Sequence, residues 1–348
     1  PDGTNVYEMN PESKQRVWEQ ALPYHDTHDV DRYNESHIAV ANMRQYNESC
    51  ECSNDRVVLY DREDDEIDWE WTFRNHYPND TAGGFNEDWT HVNDVEVIRN
   101  GTKLLLSPRN FDQAIVVDIE TKEIVERLRE DSKHEILNAQ HNPDWLTTES
   151  GKETILVADS HNDRVVEYTK EDGEWVEVWS AGSSASLSWP RDADRLPNGN
   201  TLVVDSLNHR VIEITPQGQV VWEYYATWGP YDAERVASGD ESNGPTMRDQ
   251  GVSGHTAIWG ADGGLYTTSF SSWLAGSASG TLVEGPVLSF ARTWGHYAPW
   301  AQPAWLNSWE FAGIVGALVV VLGWAVAEVV LARERIAAGA RSLVGRAR

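Results

Sequence analysis

One unit of sequence recurs along the chain at a spacing that few folds can accommodate. Residues 155–168 (ILVADSHNDRVVEY) and 201–214 (TLVVDSLNHRVIEI) share Leu, Val, Asp, Ser, Asn, Arg, Val and Glu at a single offset. Residues 53–60 (SNDRVVLY) repeat the middle of this unit, and residues 109–117 (RNFDQAIVV) repeat it more loosely. A period of about 40–50 residues made of short strands is typical of a β-propeller blade.

The residues that follow each unit complete this pattern. Second β-rich runs ending in aromatic residues occupy 66–73, 175–182 and 219–226, and turn sequences occupy 197–200 (PNGN) and 216–218 (PQG). Apolar and polar residues alternate within the runs, which indicates strands joined by hairpins. No amphipathic helix of useful length interrupts the repeat, so we predict an all-β fold.

The number of blades follows from where each unit begins. Blade starts are predicted near His28, His91, His141, Arg191 and His255. The first 20 residues resemble the outer half of a further blade, which predicts a six-bladed β-propeller with one blade incomplete in this chain, since a ring closes without exposed edges. Residues 232–254 are polar, Gly-rich and aperiodic, which predicts a long loop before the fifth unit, the weakest match.

A second kind of segment follows the repeats. Residues 311–332 (FAGIVGALVVVLGWAVAEVVLA) contain one ionisable group and are long enough, at about 1.5 Å per residue, to cross a bilayer as a helix. Arginines follow at Arg333, Arg335, Arg341, Arg346 and Arg348. By the positive-inside rule they place the C-terminus in the cytoplasm and residues 1–310 outside. Trp300, Trp305 and Trp309 stand where an interfacial aromatic belt is expected.

These features together predict a single-pass protein of the cell membrane. The predicted regions are an extracellular propeller at 1–299, an interfacial aromatic linker at 300–310, a transmembrane helix at 311–332 and a basic cytoplasmic tail at 333–348. Four N-glycosylation sequons agree with an external location, at Asn34, Asn47, Asn79 and Asn100. Because the chain lacks a signal peptide and its N-terminus must be exported, we expect a further segment before Pro1.

The charge of the chain restricts its partners. Lys and Arg number 28 against 56 Asp and Glu, which gives a net charge of −28. Nucleic acid is excluded as a partner, because neutralising phosphates needs clustered basic residues. The spread of acidic residues favours adaptation to high salt over a generally soluble surface. The expected partners are therefore the lipid bilayer, a small substrate and membrane or cell-surface proteins.

Cys50 and Cys52 form either a local disulfide or two free thiols.

Polar residues recur at the predicted blade starts. The sequences there are HDTHDVD (25–31), WTHVNDV (89–95), AQHNPDW (139–145), WPRDADR (189–195) and SGHTAIW (253–259). Four histidines and one arginine thus stand at equivalent positions, and the innermost strands of a propeller all face one central channel. Polar residues at such positions commonly do no more than form hydrogen bonds with the backbone at strand ends and turns. We favour a functional funnel, because four of only 11 histidines share one register.

Over about residues 20–225 these motifs resemble the arylsulfotransferase family, whose catalytic domain is a six-bladed propeller with a His-rich central site. The resemblance rests on His28-Asp29, on His91-Val92-Asn93 with Arg109, and on Gln140-His141. It implies that His141 attacks sulfur to form a sulfohistidine, that Arg109, His91 and Asn93 hold the sulfate oxygens, and that His28 exchanges a proton with the phenolic oxygen. Arg191 and His255 are predicted to bind substrate. The implied donor is an aryl sulfate and the acceptor a phenol, with no cofactor and no metal.

Two other functions remain open at this point. A non-catalytic cell-surface propeller would use the same polar groups to bind a ligand or a partner, since propellers change function while keeping their fold. A metal-dependent hydrolase or lyase would use His28, His91, His141 and His255 as ligands. The metal-dependent function ranks third, because it leaves Asn93 and Arg109 without a role.

Overall fold

The polypeptide folds into a β-rich unit, Pro1–Thr268, followed by a helical unit, Ser269–Arg348. The structure is a computed structural model. It describes residues 3–128, 133–226, 228–239, 241–260, 269–278, 280–303 and 305–346.

The β-rich unit consists of antiparallel sheets that follow one another along the chain. A hairpin comes first, formed by β1 (Thr4–Met9) and β2 (Arg16–Leu22). Blade one contains β3 (Thr27–Arg32), β4 (His37–Asn42), β7 (Arg56–Asp61) and β8 (Glu66–Thr72), with a short hairpin of β5 (Tyr46–Asn47) and β6 (Cys52–Ser53) between β4 and β7. Blade two contains β9 (Val92–Ile98), β10 (Lys103–Pro108), β11 (Ala114–Asp118) and β12 (Ile124–Leu128).

Two further blades complete the propeller arrangement. Blade three contains β13 (His141–Thr147), β14 (Glu153–Asp159), β15 (Arg164–Glu171) and β16 (Glu174–Ala181). Blade four contains β17 (Pro190–Arg195), β18 (Thr201–Asp205), β19 (Arg210–Ile214) and β20 (Val220–Tyr225). A last short strand, β21 (Gly254–Thr256), pairs in parallel with β16. The β-propeller prediction is therefore confirmed, with four blades present in the described residues.

The core lies between neighbouring blades, and the alternation of each strand decides which neighbour a side chain touches. In β10, Leu104 and Leu106 pack with Trp71 of blade one, whereas Leu105 packs with Val157 of blade three. All three leucines are fully buried. Successive side chains of a strand point to opposite faces, so a middle strand covered on both faces has to be apolar throughout. This explains the continuous apolar runs in the repeat.

The polar part of the repeat has an equally specific cause. In blade four, the buried carboxylate of Asp205 accepts hydrogen bonds from Asn208 at 2.8 Å, Arg210 at 2.7 Å and the backbone N–H of Ser188 at 2.8 Å. Asp159 of blade three accepts the equivalent bonds from Asn162, Arg164 and the N–H of Asn138. Asp, Asn and Arg recur together because a buried carboxylate is tolerated only when it is fully paired. The motif ties each blade's middle turn to the loop that leads into that blade.

The predicted extent of the propeller needs a correction. Residues 270–278 and 284–299, which the pattern assigned to the end of the propeller, are helical instead. His255 starts no blade in the described residues, because β21 lies at the edge of blade three. The fifth unit lacks the Asp-Ser-x-Asn-x-Arg motif that organises blades three and four, and residues 261–268 fall outside the description. The ring of six blades remains a prediction.

The helical unit contains three helices: α1 (Phe270–Ala278), α2 (Glu284–Ala301) and α3 (Ser308–Arg346). Within α3, the stretch Ser308–Arg333 is long and apolar enough to cross a membrane by length and composition. Its most apolar 18-residue window has a mean hydropathy of 2.5, and none of that window is buried. It begins within the predicted aromatic linker and continues past the predicted transmembrane boundary at residue 332. The predicted spanning helix is thus supported as a candidate, while its orientation and the external location stay predictions.

Two local expectations concern the surface of blade one and its neighbours. Cys50 and Cys52 form a disulfide, which settles the alternative left open by the sequence. The four sequon asparagines are all exposed, at Asn34, Asn47, Asn79 and Asn100. Exposure leaves each of them accessible to a glycan, and their glycosylation remains a prediction.

The account of the repeat predicts a large stability loss from Asp205→Ala. This substitution leaves the buried guanidinium of Arg210 without its nearest carboxylate, and breaking a buried ion pair in this way costs about 3–5 kcal/mol. The matched control is Glu19→Ala, which breaks an exposed pair with Arg16 and costs less than about 1 kcal/mol. Equal losses for the two variants in chemical denaturation would contradict the account.

Candidate functional site

A buried or half-buried aspartate in one blade fixes the start of the innermost strand in the next blade. Asp55 accepts the backbone N–H of Thr90 at 3.1 Å, beside His91. Asp112 accepts the N–H of Ala139 at 2.9 Å, and Asp163 accepts that of Trp189 at 2.9 Å. Ala139 and Trp189 both have positive φ and lie two residues before His141 and Arg191, respectively. These hydrogen bonds therefore fix the backbone that positions His91, His141 and Arg191.

His28 and His91 form a direct imidazole pair. Their Nε2 atoms lie 3.0 Å apart, and the ring centroids are separated by 4.8 Å. Nδ1 of His91 lies 2.8 Å from the carboxylate of Asp88, which also pairs with Arg44. The carboxylate of Asp88 accepts a hydrogen bond from Nδ1–H of His91. In a neutral His91 the lone pair is then on Nε2, which accepts a hydrogen bond from Nε2–H of His28. Burial, and then the charge of Arg109, lower the pKa of His91 to about 4. Burial also lowers the pKa of His28.

His141 is the most enclosed of the three histidines, with 2% of its surface exposed. Its Nδ1 lies 2.7 Å from Oγ of Ser160 and 3.1 Å from the carbonyl oxygen of Ala139. A carbonyl can only accept, so these contacts place the ring proton on Nδ1 and the lone pair on Nε2. Burial, followed by the charges of Arg109 and Arg191, lowers the pKa of His141 well below its usual value. The ring is therefore neutral at neutral pH, with an unprotonated Nε2.

Two guanidinium groups supply the positive charge of the site. Arg109, which follows β10, and Arg191 on β17 form no ion pair with a carboxylate within the described part of the chain. Their Nε atoms are buried there without a hydrogen-bond acceptor. Burial lowers the pKa of both arginines, and for Arg191 the charge of Arg109 adds to this effect. Two unneutralised arginines are unusual in a chain of net charge −28. Such a pair favours an anion between them.

Tyr231 completes this group, and no pattern in the sequence pointed to it. Its ring stacks on His28 and meets His141 edge-to-face, each at a centroid distance of 5.7 Å. The guanidinium of Arg191 lies 4.7 Å from the Tyr231 ring and 4.1 Å from the ring of Trp189. Tyr231 belongs to the irregular segment after blade four, where no periodicity marks a functional position. We call His28, His91, His141, Arg109, Arg191 and Tyr231 the channel cluster.

Two predicted site residues do not join the channel cluster as expected. Asn93 is fully buried, and its Nδ2 donates to the carbonyl oxygen of Gln140 at 2.9 Å, so it supports the backbone next to His141. His255 is exposed on β21, where its Nδ1 lies 3.3 Å from Oγ of Ser180 on the outer strand of blade three. The prediction that His255 faces the central channel is therefore wrong, because β21 joins the edge of blade three and does not open a blade. This also removes one ligand from the four-histidine metal site.

A second polar layer lies along the same innermost strands. Its acidic residues line a cavity of about 30 Å³ and are Asp29, Asp31, Asp94, Glu96, Asp144, Asp192, Asp194, Asp232 and Glu241. Several of these carboxylates join neighbouring blades: Asp29 accepts the N–H of Val95 at 2.9 Å, and Glu96 accepts the N–H of Trp145 at 2.8 Å. Carboxylate oxygens of Glu96, Asp144 and Glu241 lie within 4.8 Å of one another, a spacing compatible with a hard cation. Burial and these neighbours raise the pKa of Glu96 well above its usual value, so a shared proton also satisfies the group.

Comparisons with known proteins find solved structures of low similarity and leave the function open. No protein-family profile and no curated protein matches the chain. A protein of unknown function from Bacteroides caccae is 15% identical, with a TM-score of 0.40, covering 64% of this chain and 69% of its own. The Cps50 (Swd1) β-propeller domain of Myceliophteria thermophila is 13% identical, with a TM-score of 0.43 and coverages of 66% and 69%. A streptogramin B lyase is 12% identical, with a TM-score of 0.39, and the chain spans 56% of its length.

The lowered histidine pKa values predict that anion binding depends on pH. A bound anion favours the protonated imidazole, so it raises the pKa of His28 and His91 from their lowered values and drives proton uptake. Sulfate affinity should therefore increase as the pH falls from about 7 to about 5. Calorimetry in two buffers of different ionisation enthalpy measures the affinity and the proton uptake.

The control for this experiment is His255→Ala, which should bind sulfate like the unaltered protein because His255 lies outside the channel cluster. Sulfate binding that exchanges no proton and does not change over this pH range would contradict the assignment.

Proposed function

We propose that the chain is an arylsulfotransferase-like enzyme that transfers a sulfuryl group from an aryl sulfate to a phenolic acceptor through His141. The observation that carries the proposal is the channel cluster, in which two arginines without an acidic partner in the described part of the chain lie beside a neutral, buried histidine. Sulfuryl transfer spreads charge over peripheral oxygens, much as phosphoryl transfer does. It therefore needs positioning and cationic clamps more than acid strength.

In the first half of the proposed reaction, Nε2 of His141 attacks the sulfur of the aryl sulfate. A nitrogen–sulfur bond forms as the bond from sulfur to the aryl oxygen breaks, and the aryloxide leaves. Arg109 and Arg191 neutralise the sulfate oxygens during this step. The His28–His91 pair takes up one proton when the anionic donor binds, and it gives this proton to the leaving oxygen, so that both rings are neutral again when the first half ends.

In the second half, a phenol replaces the departed aryl group. The His28–His91 pair takes the phenolic proton, the phenol oxygen attacks sulfur, and the bond between sulfur and His141 breaks. The chemistry needs no external oxidant or reductant. In this scheme Ser160 is a positioning residue, because its contact with Nδ1 keeps the lone pair of His141 on Nε2. Asn93 also acts indirectly, through the carbonyl group of Gln140.

The proposal includes a cellular location. The apolar part of α3 would anchor the protein in a membrane, with the arginines after it on the cytoplasmic side and the propeller outside. An external site has no ready supply of cytoplasmic activated sulfate, so an aryl sulfate suits this location as the donor. Closure of the blades into a ring of six is part of the same proposal.

The central test is His141→Ala with 4-nitrophenyl sulfate as donor and phenol as acceptor. The variant should lose at least about 10³-fold in kcat/KM, because a covalent step has no substitute nucleophile at that position. The unaltered protein should show ping-pong kinetics and a sulfated His141 peptide by mass spectrometry after reaction with donor alone. The control His255→Ala should remain fully active.

Activity that survives in His141→Ala would refute the nucleophile assignment. A protein that binds sulfate at the channel cluster and yet transfers it to no phenol would be a binding module, which is the alternative function that the sequence left open.

A further inference from the structure

One face of α2 has the opposite polarity from that of a helix on a water-soluble protein. Val283 and Phe290 are 54% and 51% exposed, and Tyr297 and Trp300 are 66% and 51% exposed. Val283, Phe290 and Tyr297 are seven residues apart, so they follow one another along a single face. The buried side chains Ala291 and Ala298 each follow an exposed aromatic residue and lie about 100° further round the helix. Phe290 and Tyr297 are thus turned outward beside a strip of small buried residues.

The charge of this segment is also unlike that of the rest of the chain. Residues 269–307 contain one acidic side chain, Glu284, and one basic side chain, Arg292. The β-rich unit before it is strongly acidic, and five arginines cluster after residue 332. A neutral, aromatic segment avoids both the desolvation cost of buried charge and repulsion by an anionic surface. It is therefore suited to an interface between water and lipid.

Aromatic contacts connect this segment to the start of the candidate spanning helix. Trp309 near the start of α3 contacts Phe270 at a centroid distance of 5.5 Å and Trp273 at 5.1 Å, both in α1. Trp294 of α2 contacts Phe311 of α3 at 5.9 Å. Both helices therefore meet α3 at the end where its apolar stretch begins. Any membrane that α3 crosses would meet α2 at the level of the lipid head groups.

We propose that α1 and α2 form a hairpin that lies in the membrane interface, with the Val283, Phe290, Tyr297 and Trp300 face of α2 immersed in lipid. Tyr and Trp favour this region because their rings are apolar and their polar atoms can remain hydrated. Helices of this kind insert their apolar face about 5–10 Å into the boundary between head groups and acyl chains. The protein would then be held by a spanning helix and an interfacial hairpin together. The inference rests on α3 spanning a membrane, and it is independent of the chemistry in the propeller.

Nitroxide labelling of the full chain tests this inference. Cys50 and Cys52 are joined in a disulfide, so an introduced cysteine is the single site that a thiol-reactive label modifies under non-reducing conditions. The label is placed at Phe290→Cys, and the protein is reconstituted in vesicles of phosphatidylcholine and phosphatidylglycerol. Two reference positions are Val125→Cys, exposed on β12 of blade two, and Val320→Cys, in the apolar part of α3. Collision of each label with oxygen, which enters lipid, is compared with collision with a water-soluble nickel chelate.

The expected oxygen-to-nickel ratio at Phe290→Cys is severalfold higher than at Val125→Cys and lower than at Val320→Cys. A label at Phe290 that collides with the chelate as readily as the Val125 label, while the Val320 label is protected, would overturn the hairpin proposal and leave the spanning helix intact. Chelate access at both Phe290 and Val320 would remove the spanning helix as well. Neither outcome bears on sulfuryl transfer, which is measured separately.

Discussion

The hydrogen bond from a blade's aspartate to the backbone of the next blade's entry turn is the interaction on which the site depends. Asp55, Asp112 and Asp163 each make this bond, and the residues that receive it lead directly into His91, His141 and Arg191. A buried carboxylate forms such a bond because leaving it unpaired costs several kcal/mol. Because buried carboxylates need hydrogen-bond donors, the same bonds hold neighbouring blades together and position the residues of the channel cluster.

The channel cluster depends on charges that the rest of the chain does not neutralise. The protein is strongly acidic, yet Arg109 and Arg191 have no carboxylate partner in the described part of the chain. Aromatic rings hold Arg191 instead, through cation–π contacts that leave its charge available. Burial, and then the charges of these two arginines, lower the pKa of His141 and keep its ring neutral. An anion is the one ligand that relieves this repulsion.

The sequence predicted the repeated part of the fold and missed the parts that do not repeat. Strand alternation, and the Asp-Ser-x-Asn-x-Arg motif of blades three and four, identified the propeller because both follow from local hydrogen bonding and burial. His255 was misplaced because its position in the repeat resembles that of the other blade starts, whereas the pairing of β21 with β16 depends on contacts distant in sequence. Tyr231 was missed for a related reason: it reaches the channel cluster from an irregular segment with no period. The helices at 270–301 were overlooked because small residues weaken their pattern.

The claim at the centre of this account is that Arg109, Arg191 and His141 face one anion. The most direct measurement is a crystal structure of the protein soaked in selenate, an analogue of sulfate whose selenium gives an anomalous signal. The account predicts one anomalous peak within hydrogen-bonding distance of both guanidinium groups and next to Nε2 of His141. Selenate bound only at other positions, with the channel cluster free of anomalous density, would contradict it.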